Sequence, residues 1–223
     1  MVNPVFTSDM TSNKVETWRH IFGSMAHRQL SILEVGSYEG RSAIVLLEML
    51  PHAHLTCVDT FAGGPDLPDL DGVEERFDSN LEPYAGRFEK MKSRSLPALD
   101  LLVQQRRTYD VIFIDGSHRR DDVLIDSVLA WHLLANEGYL IWDDYLWSHK
   151  LVPDGPKPAI DAFLVMNEGR FRTLYQDWQV IVQKIPAADA WVPKEIERQE
   201  IERPNVARTF RNARLFLSGR LAC

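Results

Sequence analysis

The segment YDVIFID, residues 109–115, constrains this chain most. Its apolar run lies between Asp110 and Asp115, too short for a helix and uniformly apolar, as in a strand buried on both faces. Such a strand needs covering layers on both sides. The rest of the sequence supplies them in alternation. SILEV (31–35) reads as a strand, RSAIVLLEMLP as a helix stopped by Pro51, and HLTCVDTF as a second strand. A helix near 74–82, a weak strand in FEKMKS and a short helix over 96–106 follow. RRDDVLIDSVLAWHLLANEG reads as a helix carrying Val123, Val128, Leu129, Leu133 and Leu134 and closed by Gly138. YLIWDD is the next strand, then a helix over 157–168, then FRTLYQ and WQVIVQK as an antiparallel terminal hairpin. Ahead of all these, residues 14–29 place Val15, Trp18, Ile21, Phe22 and Met25 at helical spacing.

This order predicts an α/β fold, a doubly wound, mostly parallel sheet with helices on both faces. Ligands bind such sheets beyond the carboxyl ends of the strands. The conspicuous polar groups fall at those ends: Glu34 to Gly40, Asp59, Asp115, and Asp143 with Asp144. His52 and His54 lie at the opposite end of a strand, and Trp142 reads as core.

At 223 residues the chain suffices for one domain, expected over 1–186. Residues 187–223 read as a C-terminal extension, a packing or homodimer helix. A net charge of −7 speaks against nucleic acid as a partner. No apolar run approaches the ~20 residues of a membrane span, and the first residues lack secretory order, so no membrane and a cytoplasmic location are expected. Cys57 and Cys223 make neither a disulfide framework nor a zinc spacing. FAGGPDLPDLDG (61–72) reads as a surface loop over the site; its Asp69, Asp71 and Gly72 lack the full spacing of a calcium loop.

The glycines of SILEVGSYEG are spaced Gly36-x-x-x-Gly40, not G-x-G-x-x-G. Spacing alone fits a ligand turn and a plain strand-to-helix turn equally. Asp59, ending the neighbouring strand, favours the first, because a carboxylate there can accept both hydroxyls of a ribose.

LEVGSYEGRSA, CVDTF, YDVIFIDGSH and GYLIWDDY together resemble the class I S-adenosylmethionine-dependent methyltransferases over residues 14–184. They are similar in particular to bacterial small-molecule enzymes and to the catechol and caffeoyl-CoA O-methyltransferases. The resemblance implies a Rossmann-like seven-stranded sheet and S-adenosylmethionine as cofactor. It implies Glu34, Gly36, Ser37, Tyr38, Gly40 and Ser42 around the methionine part, Asp59 on the ribose, Thr60 and Ser95 by the adenine, and Asp115 beside them. Ser93 stands where that family has glycine. Asp115, Asp143 and Asp144 would hold magnesium or manganese, with Asp144 replacing an Asn of the family. Adjacent strand residues face opposite ways, so both late acids reach one metal only if the chain bends there. His118 lies where the catechol enzymes carry a catalytic lysine. At a helix start it would be the base for a hydroxyl, or else a surface cap.

These features predict methyl transfer to a hydroxyl of a small molecule, with His118 and Asp115 catalytic. A nicotinamide-dependent oxidoreductase and a non-catalytic nucleoside-binding protein are the alternatives. The acceptor stays open among sugars, phenols and polyketide hydroxyls.

Overall fold

A computed structural model describes residues 3–63 and 71–186, all within one compact unit, Met1–Ala190. The extension expected over 187–223, and Asp69 of the long loop, lie outside the described residues.

The strands are β1 (Ser31–Val35), β2 (His54–Asp59), β3 (Phe88–Lys92), β4 (Tyr109–Ile114), β5 (Leu134–Trp142), β6 (Phe171–Gln176) and β7 (Val180–Lys184). The helices are α1 (Val15–Phe22), α2 (Arg41–Met49), α3 (Val73–Leu81), α4 (Ser95–Gln104), α5 (Arg120–Leu133) and α6 (Pro156–Met166). The strands form one seven-stranded sheet in the order β3-β2-β1-β4-β5-β7-β6. The first five run parallel, and β7 pairs antiparallel with both β5 and β6. This is the expected Rossmann-like, doubly wound sheet with its terminal hairpin.

Alternation along each central strand builds two cores. Leu33, Ile112, Ile114, Leu140 and Trp142 pack on the side of α4, α5 and α6. Ile32, Val111, Phe113 and Ile141 pack on the other, against Trp18, Phe22 and the apolar faces of α2 and α3. Trp18 meets Phe113 edge-on at 5.1 Å, and its indole N–H donates to Gln179 Oε1 at 3.0 Å, tying α1 to the β6–β7 turn. Trp142 is fully buried, as expected.

Two boundaries differ from the sequence reading. The single helix over 14–29 is α1 between two short 3₁₀ turns, Ser12–Lys14 and Gly23–Met25, because Gly23 and Ser24 hold a helix poorly. The helix expected to run to Gly138 ends at Leu133, and Leu134 already pairs with Tyr109. The ladder then shifts register before Val111 meets Tyr139, and Glu137 takes the left-handed φ of 60° at the irregularity. Gly138 serves close packing rather than capping: a Cβ there would lie 3.0 Å from the Asp110 carbonyl.

Candidate functional site

The site begins at the β1–α2 turn. Gly36, Tyr38 and Gly40 adopt φ of 90°, 48° and 80°, three left-handed residues in five. The glycines are required by the protein's own packing. A Cβ on Gly36 would lie 2.0 Å from the Asp115 carbonyl oxygen, and one on Gly40 would lie 2.2 Å from the Leu81 side chain. What the backbone of this turn is pressed against is therefore the end of β4 and the flank of α3.

Asp59, at the end of β2, holds the turn in place. Ser37 N–H and Tyr38 N–H donate to its Oδ2 at 2.7 and 2.8 Å, and Phe61 N–H donates to Oδ1 at 2.6 Å. It also lines the cavity. Glu34 does not. It is fully buried behind the turn, neither carboxylate oxygen has a hydrogen-bond partner, and burial pushes its carboxyl up to about 7 against the pull of the Ser37 and Ser42 hydroxyls.

A cavity of about 1060 Å³ opens over the carboxyl ends of β1, β2 and β4. Gly36, Ser37, Tyr38, Ser42, Asp59, Thr60, Ser95, Asp115, His118 and Asp144 line it; Glu34, Gly40 and Asp143 do not. The parallel strands bring the first group together because all end at the same edge.

At the far wall, Asp115, His118 and Asp144 each place one ligand atom within 4.8 Å of the others. His118 Nε2 is 2.9 Å from Asp144 Oδ2, and the ring stacks on Trp147 at 4.3 Å between centroids. Trp178 Nε1–H donates to the other oxygen of Asp144 at 3.3 Å. His118 lies just outside α5, whose flanking residue is Arg119, so it does not open the helix itself. Burial raises the Asp115 carboxyl well above its usual range, with the Lys14 charge opposing and the Asp144 charge adding. Burial would raise Asp144 too, but the hydrogen bond and charge of His118, with Lys14 behind, hold it below the usual value.

Asp143 departs from the expected metal set. Asp144 takes a left-handed φ of 57°, the required bend, yet it turns only Asp144 into the cavity. The Asp143 carboxylate is buried and ion-paired to Lys14 Nζ, and its other oxygen accepts the Asp144 N–H at 2.9 Å.

Several wall residues are absent from the expected site. Lys14 comes from the chain's first turn and is buried. Asp126, on α5, is also buried; neither of its oxygens has a partner, and burial pushes its carboxyl up to about 6. An N-terminal strap adds Phe6, Ser8 and Asp9. Only the polarity of "DSV" inside an apolar helix hinted at Asp126.

Residues 33–145 match a family model described as "Methyltransferase domain". An uncharacterized protein of Acanthamoeba polyphaga mimivirus is 26% identical over 157 residues, 64% of this chain and 66% of that protein, just under two thirds of its length. Among solved structures, an O-methyltransferase from Bacillus cereus in complex with SAH superimposes with a TM-score of 0.62 at 17% identity, over 81% of this chain and 84% of that one. MycE methyltransferase of the mycinamycin biosynthetic pathway, in complex with Mg, SAH and mycinamycin VI, gives 0.59 at 11% identity, over 86% of this chain and 54% of that one. At these identities the structural likeness is one of fold.

Proposed function

We propose, from the premise that this chain belongs to the methyltransferase-domain family, that it moves the methyl group of S-adenosylmethionine to a hydroxyl of a small molecule. One observation carries the reading: a single cavity joins the Asp59-pinned turn to the His118–Asp144 pair. The first end suits a nucleoside with a charged tail, and the second suits removal of a proton.

The residues fit the cofactor in kind. Beyond the three N–H groups it accepts, Asp59 keeps about one lone-pair site for a ribose hydroxyl, while Thr60 and Ser95 would flank the adenine end. Its sulfonium supplies an electrophilic methyl, and the carbon–sulfur electron pair leaves with sulfur. The acceptor oxygen must lie in line with that methyl at near-attack distance, which the wall between Asp115 and Trp147 would enforce. His118 would take the hydroxyl proton, and Asp144 would orient the ring and stabilise the imidazolium.

In a metal-assisted route His118 would be a ligand in place of the base: Asp115, His118 and Asp144 would hold a divalent cation, and their two carboxylates and one imidazole suit manganese at least as well as magnesium. Such an ion would polarise the acceptor hydroxyl.

Calorimetry should show S-adenosylhomocysteine binding and no NAD binding; the reverse would assign the fold to an oxidoreductase. With a hydroxylated acceptor, His118→Ala should lower turnover roughly 10²–10⁴-fold without loss of cofactor affinity. Turnover that vanishes in EDTA and returns with manganese would instead make His118 a metal ligand.

A further inference from the structure

We propose that Lys14 is the resident cation of the acceptor site. Its ammonium takes Asp143 out of any metal-binding set and keeps the Asp115–His118–Asp144 seat weak for divalent ions. The inference rests on reading this end of the cavity as the acceptor site.

Lys14 closes the 3₁₀ turn ahead of α1, and its amine reaches through the cavity wall to Asp143 at the end of β5. Both partners are buried: the lysine side chain is 9% exposed and the aspartate 0%. The ammonium also sits 6.0 Å from the centre of the Phe113 ring, on β4 two residues before Asp115. The groups facing it are thus Asp143, with Asp115 and Asp144 near enough for its charge to act on both carboxyls. His118 approaches the same group from the β4–α5 loop.

Two consequences follow from charge alone. A carboxylate ion-paired to a buried ammonium, with its second oxygen held by the Asp144 N–H, has its charge already balanced and both oxygens engaged, so it competes poorly for a metal. A fixed positive charge beside three candidate ligands also repels a second cation, and burial makes that repulsion larger than in water. Lys14 is therefore a positioning residue, set against the metal from the N-terminal turn.

The test is manganese binding by isothermal calorimetry, without substrate, on the whole chain. Wild type should bind Mn²⁺ weakly. Lys14→Met should tighten binding by about tenfold or more, since the repulsion is gone and Asp143 is released to act as a ligand. Because that variant leaves a buried carboxylate without its partner, a neutral pair is tested beside it. Lys14→Met with Asp143→Asn removes both charges and should bind Mn²⁺ at least as tightly as wild type, since neither residue belongs to the seat. A loss of about tenfold in the double variant would place Asp143 among the ligands and overturn the proposal. Unchanged or absent Mn²⁺ binding in all three proteins would overturn it too. S-adenosylhomocysteine affinity, measured on the same samples, separates this outcome from failure of the methyltransferase reading, which wild type alone decides.

Discussion

Glu34 carries an unusual burden for one side chain: a carboxyl enclosed by β1 and the glycine turn, with no hydrogen bond to either oxygen. Burial raises it from 4.5 to about 7. A raised carboxyl favours the protonated folded state, so its contribution is fully present below the unfolded value and is lost as pH rises through the folded one. Ionising it costs roughly 3 kcal/mol at pH 8. Glu34→Gln should accordingly be more stable than wild type at pH 8, with the gap closing between pH 7 and 4.5 in thermal melts. A gap independent of pH would mean that Glu34 titrates alike in the folded and unfolded chain, with no upward shift on burial. Asp59, by contrast, has three N–H donors aimed at its oxygens. Asp59→Ala would leave the N–H groups of Ser37, Tyr38 and Phe61 without their acceptor. It should cost about 1–3 kcal/mol in urea denaturation and weaken S-adenosylhomocysteine by a similar amount. Loss of affinity with full stability would make Asp59 a ligand contact only.

The elements are joined by close approaches that single atoms decide. Gly36 and Gly86 both sit at φ near +90°, at 90° and 83°. An added Cβ at Gly86 meets nothing within 4 Å, whereas at Gly36 it collides with the Asp115 backbone. Gly86→Ala should therefore cost roughly 1–2 kcal/mol, the left-handed penalty by itself. Gly36→Ala should cost more than about 3 kcal/mol, because β1 and β4 must separate. Equal costs in chemical denaturation would show that the turn can move off β4. Most of these elements were legible beforehand, since the central strands are short apolar runs and most helices show apolar spacing, while β3 and β6 are largely polar. One boundary broke at the weak helix formers Gly23 and Ser24; the other depends on a partner strand. Leu134–Gly138 is helical by pattern, but Leu134 finds Tyr109 of β4 and begins a strand instead. No local propensity records that pairing.

At the scale of the molecule, the N-terminal strap contributes to the lining of the cavity. Thr7 N–H and Oγ1–H donate to the buried Glu39 carboxylate at 2.7 and 2.9 Å, Val5 exchanges hydrogen bonds with Asn80, and Asp9 pairs with Arg41 at 2.7 Å. Every anchor lies on the glycine turn, α2 or α3. Glu39→Ala should release the strap and speed S-adenosylhomocysteine dissociation about tenfold in stopped-flow fluorescence, with less effect on association. An unchanged rate would mean that the strap does not cover the bound ligand. None of the described helices is long and apolar enough to cross a membrane. From the sequence alone came the sheet, its direction, and the strand ends where the acids gather, because hydrophobic period and strand termini are local properties of the chain. Tertiary structure alone decided what each acid does. Asp59 and Asp143 look alike in sequence, each ending a buried strand. One meets the N–H groups of a neighbouring turn, and the other meets Lys14, 129 residues away along the chain. The work a carboxylate does is set by the donor or cation that folding brings to it, and that partner is not written beside it.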